Sequence, residues 1–596
     1  MMQRNRLPFK FDFQSDRSRL IFWLGLSLLI SLVYCVPALM TALGSEYVIQ
    51  DDARQHVFWT RRFLDPQLFP SDLIADYFQS VAPDGYTQLY RFFAIVGIDP
   101  VLLSKLLPPV LALISTGFAF GIGMQFLPLP IAGFTCALLL NQNLWMRDDI
   151  VSSTPVAFIY PLFLAFLYFL LRRSLIPLVI VIILQGLFYP QSVFLSAGLL
   201  FIRLWQIRPG FGLNRSHLKL SIAGLIAAFA VLLPYALQSS PYSPIITAAQ
   251  AKLLPAFGEA GWSRFFVNNF SNFWLCGKRS GMMPTEWCDL AREGNALGWL
   301  GIPQLWLVVT LPLLLRWRNR LPLATQIRSQ IVLLPQLLIV SLGWFFLAHL
   351  ALFRLHLPNR YTEHSFRIVA AIAAGISIVV LWDALLRFLL TRKPIARQMR
   401  NQITSPTSQD QSLIASGLSV LAAGLLFLYP YTLKIDGDAF PLAGYVTGEF
   451  PGLYRFFQQQ PKDIQIASLS AEANQLPSFA QRSILVGGEG YLLPYHVKYF
   501  EEMSQRTIDL MQAQYSPDLN QAKNFIQKYG VDFWLIERSA FEPNYLEKNS
   551  IFRQFPNISR SLQMNNSALQ RVAQTCTKAR IRPFRILDAA CITQQT

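Results

Sequence analysis

Two acidic pairs carry the clearest chemistry in this chain: Asp51-Asp52 follows the first long apolar run, and Arg147-Asp148-Asp149 follows the third. A carboxylate held at the mouth of a membrane helix is partly desolvated and suits general-base work on an acceptor hydroxyl or amide. Local structure accounts for part of the pattern, because Asp52 with Gln55 three residues on reads as a capping box. A cap needs one acid, and here there are two, with His56 and Trp59 at helical spacing beyond them. The second pair reads either as a solvated loop with an internal Arg147-Asp pair or as a partner of the first. Thr154-Pro155 already supplies a cap and first turn for the next helix, which leaves Asp148 and Asp149 free. Facing each other, the pairs would orient an acceptor or share a divalent cation, Mg2+ or Mn2+, with Asp51, Asp148 and Asp149 as ligands beside a substrate phosphate.

A third constellation gathers Arg354, His356, Asn359, Arg360, Tyr361, Glu363, His364 and Arg367 just before a late apolar run. Arginine grips phosphate through its planar fork, and a helix start favours anions. The plainer reading pairs Arg360 with Glu363 or with lipid headgroups.

The elements that must position these residues are membrane helices. Of 596 residues 53% are hydrophobic and 14% charged, which marks a polytopic membrane protein. Eleven apolar runs read as spans: 20–43, 106–127, 130–144, 154–171, 175–188, 191–205, 218–237, 296–315, 331–353, 366–390 and 412–431. The fifth and sixth meet at Tyr189-Pro190 and read as a broken pair. Five basic clusters, beginning with Arg4, Arg6 and Lys10 and ending around Arg392 and Arg400, fall on one side, so the N-terminus is expected in the cytoplasm and all three constellations outside. The net charge of +17 follows from this topology and from anionic headgroups, and requires no nucleic acid. The first span is longer than a signal h-region and is expected to stay as an anchor.

Residues 1–435 thus form a membrane domain with a long first outer loop, 44–100, in which 52–64 and 73–81 read as amphipathic helices with aromatics at headgroup depth. Asp99-Pro100 reads as the cap and first residue of the next helix, and 391–411 as a polar linker. From 436 to 596 the composition becomes that of a soluble α/β domain outside the membrane, with strands at 464–469, 483–486 and 531–536 and a helix at 518–529. Gly487-Gly488-Glu489-Gly490 reads as a turn. Cys276 with Cys288 and Cys576 with Cys591 lie on the oxidising side and are expected to pair.

In layout the chain resembles the GT-C glycosyltransferases, multi-span enzymes that use polyprenyl-phosphate or polyprenyl-diphosphate sugars. The resemblance rests on Asp51-Asp52-Ala53-Arg54-Gln55-His56 after the first span, the second acidic motif after the third, and Leu357-Pro358-Asn359-Arg360-Tyr361 before a late span. It implies an inverting transfer with Asp51 as base, assisted by Asp52, Asp148 and Asp149. Arg360, Tyr361 and Arg367 would bind donor phosphate, while His56, Arg147 and His364 would orient substrate. A polyprenyl-phosphate sugar, membrane lipids and a glycan, lipid or protein acceptor are the partners it implies, at a bacterial inner membrane. A transporter or flippase of lipid-linked glycans is the alternative, for which Lys105 and Asp383 are the charged residues nearest the spans. A third reading is an assembly protein that binds through its outer domain.

Overall fold

The computed structural model describes residues 16–595 apart from 207–211, 260, 294–301, 392–407, 436–437, 489 and 563–565. Every apolar run read as a span is helical where it is described, although the start of 296–315 and most of the first and last basic clusters lie outside the described residues. The helices are α1 (Asp16–Leu43), then, beyond three short helices of the first outer loop, α5 (Pro100–Phe126), α6 (Pro130–Trp145), α7 (Ile159–Arg172), α8 (Leu175–Phe188), α9 (Gln191–Arg203) and α10 (Leu218–Leu237). After the short outer helix α11 (Thr285–Glu293) come α12 (Pro303–Arg316), α13 (Leu333–Leu350), α14 (Glu363–Thr391) and α15 (Ser408–Leu428). Among the described residues seven helical segments are long and apolar enough to cross a membrane. With 14 and 13 residues, α8 and α9 reach about 20 Å each, short of a hydrocarbon core of about 30 Å.

Helix α6 is the axis of the bundle, buried along nearly its whole length between α5 and α14. Gly375 makes the α6–α14 contact possible: a Cβ there would lie 2.7 Å from the Cys136 backbone nitrogen, and Thr135 Oγ1 donates to the Gly375 carbonyl at 3.1 Å. Outward residues such as Ile226 and Leu425 stay exposed, as a lipid-facing surface requires. Because successive helices alternate in direction, the end of α1, the α6–α7 loop, the α8–α9 turn and the start of α14 all lie at one end of the bundle.

The first outer loop holds α2 (Asp51–His56), a 3-10 turn (Phe58–Phe63), α3 (Leu73–Val81) and α4 (Asp84–Ile95). The last of these was not expected. Several of the loop's aromatics are packed against protein. Phe58 and Trp59 are fully buried, Tyr77 stacks on Tyr499 at 3.7 Å, and Ser478 Oγ donates to the Arg54 carbonyl at 3.1 Å. The C-terminal domain covers this face, so the aromatics pack against protein. Asp99 does cap α5, accepting from the Val101 and Leu102 amides, with Pro100 next.

The boundary at 436 and the turn residue Glu489 fall outside the described residues, as does most of the 391–411 linker, whose last residues begin α15. Strand β1 (Val48–Gln50), just before α2, pairs antiparallel with β2 (Tyr445–Thr447), with Gln50 opposite Tyr445. The expected strands are β3 (Gln465–Ala467), β4 (Ser483–Ile484) and β5 (Phe533–Glu537). With β6 (Thr577–Ile581) and β7 (Phe584–Asp588) they form a mixed sheet in the order β6-β7-β5-β3-β4. Helix α16 (Val497–Tyr515) and the expected helix, α17 (Leu519–Tyr529), complete the domain.

Both cysteine pairs are closed, Cys276–Cys288 and Cys576–Cys591, while Cys35 and Cys136 are free and buried. Thiol labelling of the denatured protein is expected to modify two cysteines before reduction and six after it. Additional labelling before reduction would contradict the pairing.

Candidate functional site

Strand β1 ends at Gln50, whose extended backbone turns directly into α2. The Gln50 side-chain oxygen caps α2 by accepting from the Ala53 amide at 3.0 Å, and its Nε2 donates to Asp148 Oδ2 at 3.2 Å. One glutamine therefore starts the helix and ties the two acidic motifs together. The expected Asp52–Gln55 capping box is absent, because Gln50 takes the cap role from Asp52. Asp51 turns outward and pairs with Arg54 at 2.6 Å, its side chain 44% exposed. That leaves the half-buried Asp52 facing Asp148. Burial, then the charges of Asp148 and Asp51, push the Asp52 carboxyl up to about 7, against the opposing pull of Arg360.

The other half of the site is organised by Arg367, on the first turns of α14 and fully buried. All five of its N–H directions are used. Nε and Nη2 grip Glu286 at 2.6 and 2.7 Å, Nη2 reaches Glu363 at 3.0 Å, and Nη1 meets Asp149 at 3.1 Å and the Tyr160 hydroxyl at 2.8 Å. Contrary to the expectation that it would hold donor phosphate, Arg367 has every donor engaged within the protein. It fixes Asp149 instead. Tyr361 is likewise corrected: its ring is buried against Trp344 and its hydroxyl donates to the Leu355 carbonyl at 2.8 Å. His364 is in the cluster, with Nδ1 3.2 Å from the Tyr160 hydroxyl and 3.9 Å from Asp149, and Nε2 buried without a partner. His56 is not, since its ring meets the edge of Phe78 and burial pushes its pKa down to about 4.

Arg360 stands apart from Arg367 in how little it is bound. Its Nη1 is 3.9 Å from both Asp149 and Glu363, beyond hydrogen-bond reach, and its Nε is shielded from solvent with no partner. Arg147 is similar, with Nε 3.5 Å from Asp148 and no hydrogen bond. Burial opposes the Arg147 charge, but Asp148 and Asp149 outweigh it and raise its pKa. Around this centre five carboxylates, Asp52, Asp148, Asp149, Glu286 and Glu363, face the three guanidiniums of Arg147, Arg360 and Arg367. Burial first, and then the excess of acid beside it, are the physical reasons that Asp52 holds its proton so tightly.

Sequence reasoning missed Gln50, Tyr160, Glu286 and Gly444. Glu286 stands two residues before Cys288, so the disulfide expected at that position was the one signal for it. Thr154 does not cap the next helix; its hydroxyl meets Ser152 at 2.9 Å, and Pro155 alone opens the turn. Of the three metal ligands expected, Asp51 is committed to Arg54 and Asp149 to Arg367, and among the described residues no three His, Cys, Asp or Glu side chains converge to hold a metal ion. The carboxylates as placed do not form a metal cradle.

A bundle of this connectivity, with its acids and late arginines at one end and a soluble domain closing over them, is a fold also found among solved structures. Among solved structures it is similar to the oligosaccharyltransferase of Archaeoglobus fulgidus in its apo form, at 11% identity over 90% of this chain and 71% of that chain, with a TM-score of 0.51. Two further similarities are to AglB of the same organism with an inhibitory peptide and a dolichol-phosphate (10% identity, 89% and 70% covered, TM-score 0.49) and to ArnT from Cupriavidus metallidurans bound to undecaprenyl phosphate (12%, 97% and 100%, 0.43). At these identities the likeness is one of fold. No family model and no curated protein matches the sequence.

The raised Asp52 fixes a sign. The folded protein binds the Asp52 proton more tightly than the unfolded chain, so its contribution to stability is present below about pH 4 and lost as pH rises through about 7. Asp52→Asn is therefore expected to stabilise the protein at pH 8, by about 1–3 kcal/mol given the partial exposure, and to change little at pH 4. Denaturation midpoints at the two pH values check this. Equal shifts at both would mean that Asp52 titrates normally.

Proposed function

We propose that this protein is a membrane glycosyltransferase that moves a sugar from a polyprenyl-phosphate-linked donor to an acceptor at the outer face of the membrane. The observation that carries the reading is the opposition of Asp52, poised near neutral pH, to Arg360, whose guanidinium has donors to spare. A base with a pKa near the working pH is the most effective one, and an under-bound arginine in a shielded site suits a phosphate. The oligosaccharyltransferase fold supports the same reading.

In the proposed step an acceptor oxygen or nitrogen forms its bond to the anomeric carbon as the carbon–oxygen bond to phosphate breaks. The bonding electron pair leaves with the lipid phosphate, held by Arg360, and the acceptor proton passes to Asp52. One displacement inverts the anomeric centre. Asp148, held by Gln50, and Asp149, held by Arg367, set the charge around the base, while Asp51 is spent on Arg54. Asp52, not Asp51, is thus the base in this reading. Glycan, lipid and protein acceptors are all compatible with it.

Asp52→Asn is expected to lower transfer by about a hundredfold or more with donor affinity unchanged, whereas Asp51→Asn, losing only a half-exposed pair with Arg54, keeps most of the rate. Sugar transfer from a panel of purified polyprenyl-phosphate sugars measures both. A wild-type rate in Asp52→Asn would remove the catalytic assignment.

The same reading places residues after 436 outside the membrane. A reporter fused at the C-terminus is expected to be active only as an exported enzyme. A cytoplasmic signal would put the site on the wrong face.

A further inference from the structure

The end of the bundle opposite the acids carries cations that the transfer step does not use. Helices α8, α9 and α10 pack on one another there around Gly224, where a Cβ would lie 2.5 Å from Leu200 of α9 and 3.2 Å from Ile182 and Leu178 of α8. Arg173 just before α8, Arg203 at the end of α9 and His217 just before α10 all lie within about two helical turns of this contact. Backbone bonds close the group, since the Asn214 amide donates to the Leu204 carbonyl at 2.8 Å and the His217 amide donates to the Asn214 carbonyl at 3.0 Å. Gln330, just before α13, donates through Nε2 to the Leu171 carbonyl at 3.3 Å, and Gln336 on the first turn of α13 accepts from Arg203 Nε at 3.1 Å.

No carboxylate answers this charge. The sequence has no Asp or Glu between Asp149 and Glu259, nor between Glu293 and Glu363, and these stretches supply α7 to α10 and α13. Arg203 is only 8% exposed, and beyond Gln336 its guanidinium has no hydrogen-bond partner among the described residues. His217 Nδ1 is shielded from solvent and has no partner either. Burial, then Arg203 and Arg173, push the His217 ring down to about 4, so it is neutral, and the charges acting on it are positive. Topology asks only for exposed cations at this end and does not explain one buried against an amide. A guanidinium held out of water without a counter-ion is costly, so the arrangement calls for an anion from outside the chain. The surround is apolar, with Ile176 of α8, Phe201 of α9 and Ile222 and Ile226 of α10 all exposed. A water-soluble anion gains nothing from such a surface, whereas acyl chains lie against it.

We infer that Arg173, Arg203 and His217 form a headgroup site for an anionic phospholipid, whose phosphodiester meets the two guanidiniums while its acyl chains run along the exposed apolar faces of α9 and α10. Basic pockets between membrane helices suit such headgroups. The neutral His217 ring donates through Nδ1 to a phosphate oxygen, and the guanidiniums supply the charge. A lipid held there ties the α7–α8 turn to the ends of α9 and α10. The inference concerns the far end of the bundle and does not depend on the sugar-transfer reading.

Titration of the delipidated full chain in detergent with phosphatidylglycerol and with phosphatidylcholine, read by native mass spectrometry, is the test. Wild type is expected to bind phosphatidylglycerol about ten- to a hundredfold more tightly than phosphatidylcholine, the range of one charge-assisted contact. Arg203→Gln should remove that preference and Arg203→Lys should keep part of it. Because the loss of a buried arginine can disturb packing, Arg173→Gln at the exposed position is the second variant, expected to lower phosphatidylglycerol affinity about tenfold with the lipid-free thermal midpoint unchanged. Phosphatidylglycerol should raise the thermal midpoint of wild type and not that of Arg203→Gln. Inorganic phosphate at equal concentration should leave the lipid bound. Displacement by phosphate would assign the site to a soluble anion and overturn the lipid inference. Equal binding of the two lipids by wild type, or an undiminished preference in either glutamine variant, overturns it as well, and sugar transfer is untouched by each of these results.

Discussion

A fully buried guanidinium must have every N–H satisfied or it costs more than the fold can bear, and Arg367 meets that demand with carboxylates from three separate parts of the chain. Glu363 comes from its own helix, Asp149 from the α6–α7 loop and Glu286 from the disulfide turn, with Tyr160 of α7 as the remaining acceptor. The arrangement fixes which way each loop enters the site. Removing any one acid would leave charge uncompensated where water cannot reach, so the outer loops are bound to one geometry by a single side chain. Stability alone does not require such a network, because apolar packing of equal volume often does as well. What the network supplies is definition of a polar centre at the end of an apolar bundle.

Around that centre the residues divide into those whose bonding capacity is spent and those whose capacity is not. Asp51, Asp149, Glu286, Glu363 and Arg367 belong to the first group; Asp52 and the loosely paired Arg147 and Arg360 belong to the second. Chemistry needs the second kind, since a group already committed to an ion pair must break it before meeting a substrate. Adjacent residues fall on opposite sides of the line. Asp51 and Asp52 differ only by the turn of a helix, yet one faces a guanidinium and the other faces carboxylates. Electrostatics, and not residue type, separates their roles.

Much of this was legible in the sequence. The apolar runs, helical wherever they are described, three strands of the soluble domain, both disulfides and the Asp99-Pro100 helix start follow from local rules of length, alternation and capping. The two acidic motifs and the late arginine were identifiable because such residues are conspicuous among apolar neighbours. What local rules could not give was the assignment among neighbours. Asp52 looked like a cap because Gln55 sits three residues on, but the β1 pairing places Gln50 where it takes the cap first. Arg367 looked free because two of its three carboxylate partners lie 81 and 218 residues away. The burial of Phe58 and Trp59 was invisible for the same reason, since the domain that covers them comes some 400 residues later in the chain.

The segment that enters the soluble domain passes directly over the acids. Leu442 donates to the Trp145 carbonyl at 2.8 Å, Gly444 accepts from the Asp51 amide at 3.0 Å, and β2 then pairs with β1. Gly444 has a φ of 59°, and a Cβ on it would lie 3.0 Å from Asp148 Oδ2, so glycine is the residue that fits both the backbone and the space. A two-stranded ribbon this short does not stand alone in water. It exists because both ends are anchored, one by the membrane bundle and one by the sheet. The two halves of the molecule therefore have no clean seam between them. A cut placed at the compositional boundary would take away the backbone that roofs Asp148, and a soluble half grafted from elsewhere would have to bring its own version of residues 442–447. Variation in the outer domain is for this reason constrained to surfaces away from the ribbon, and the two halves are expected to change sequence together along it.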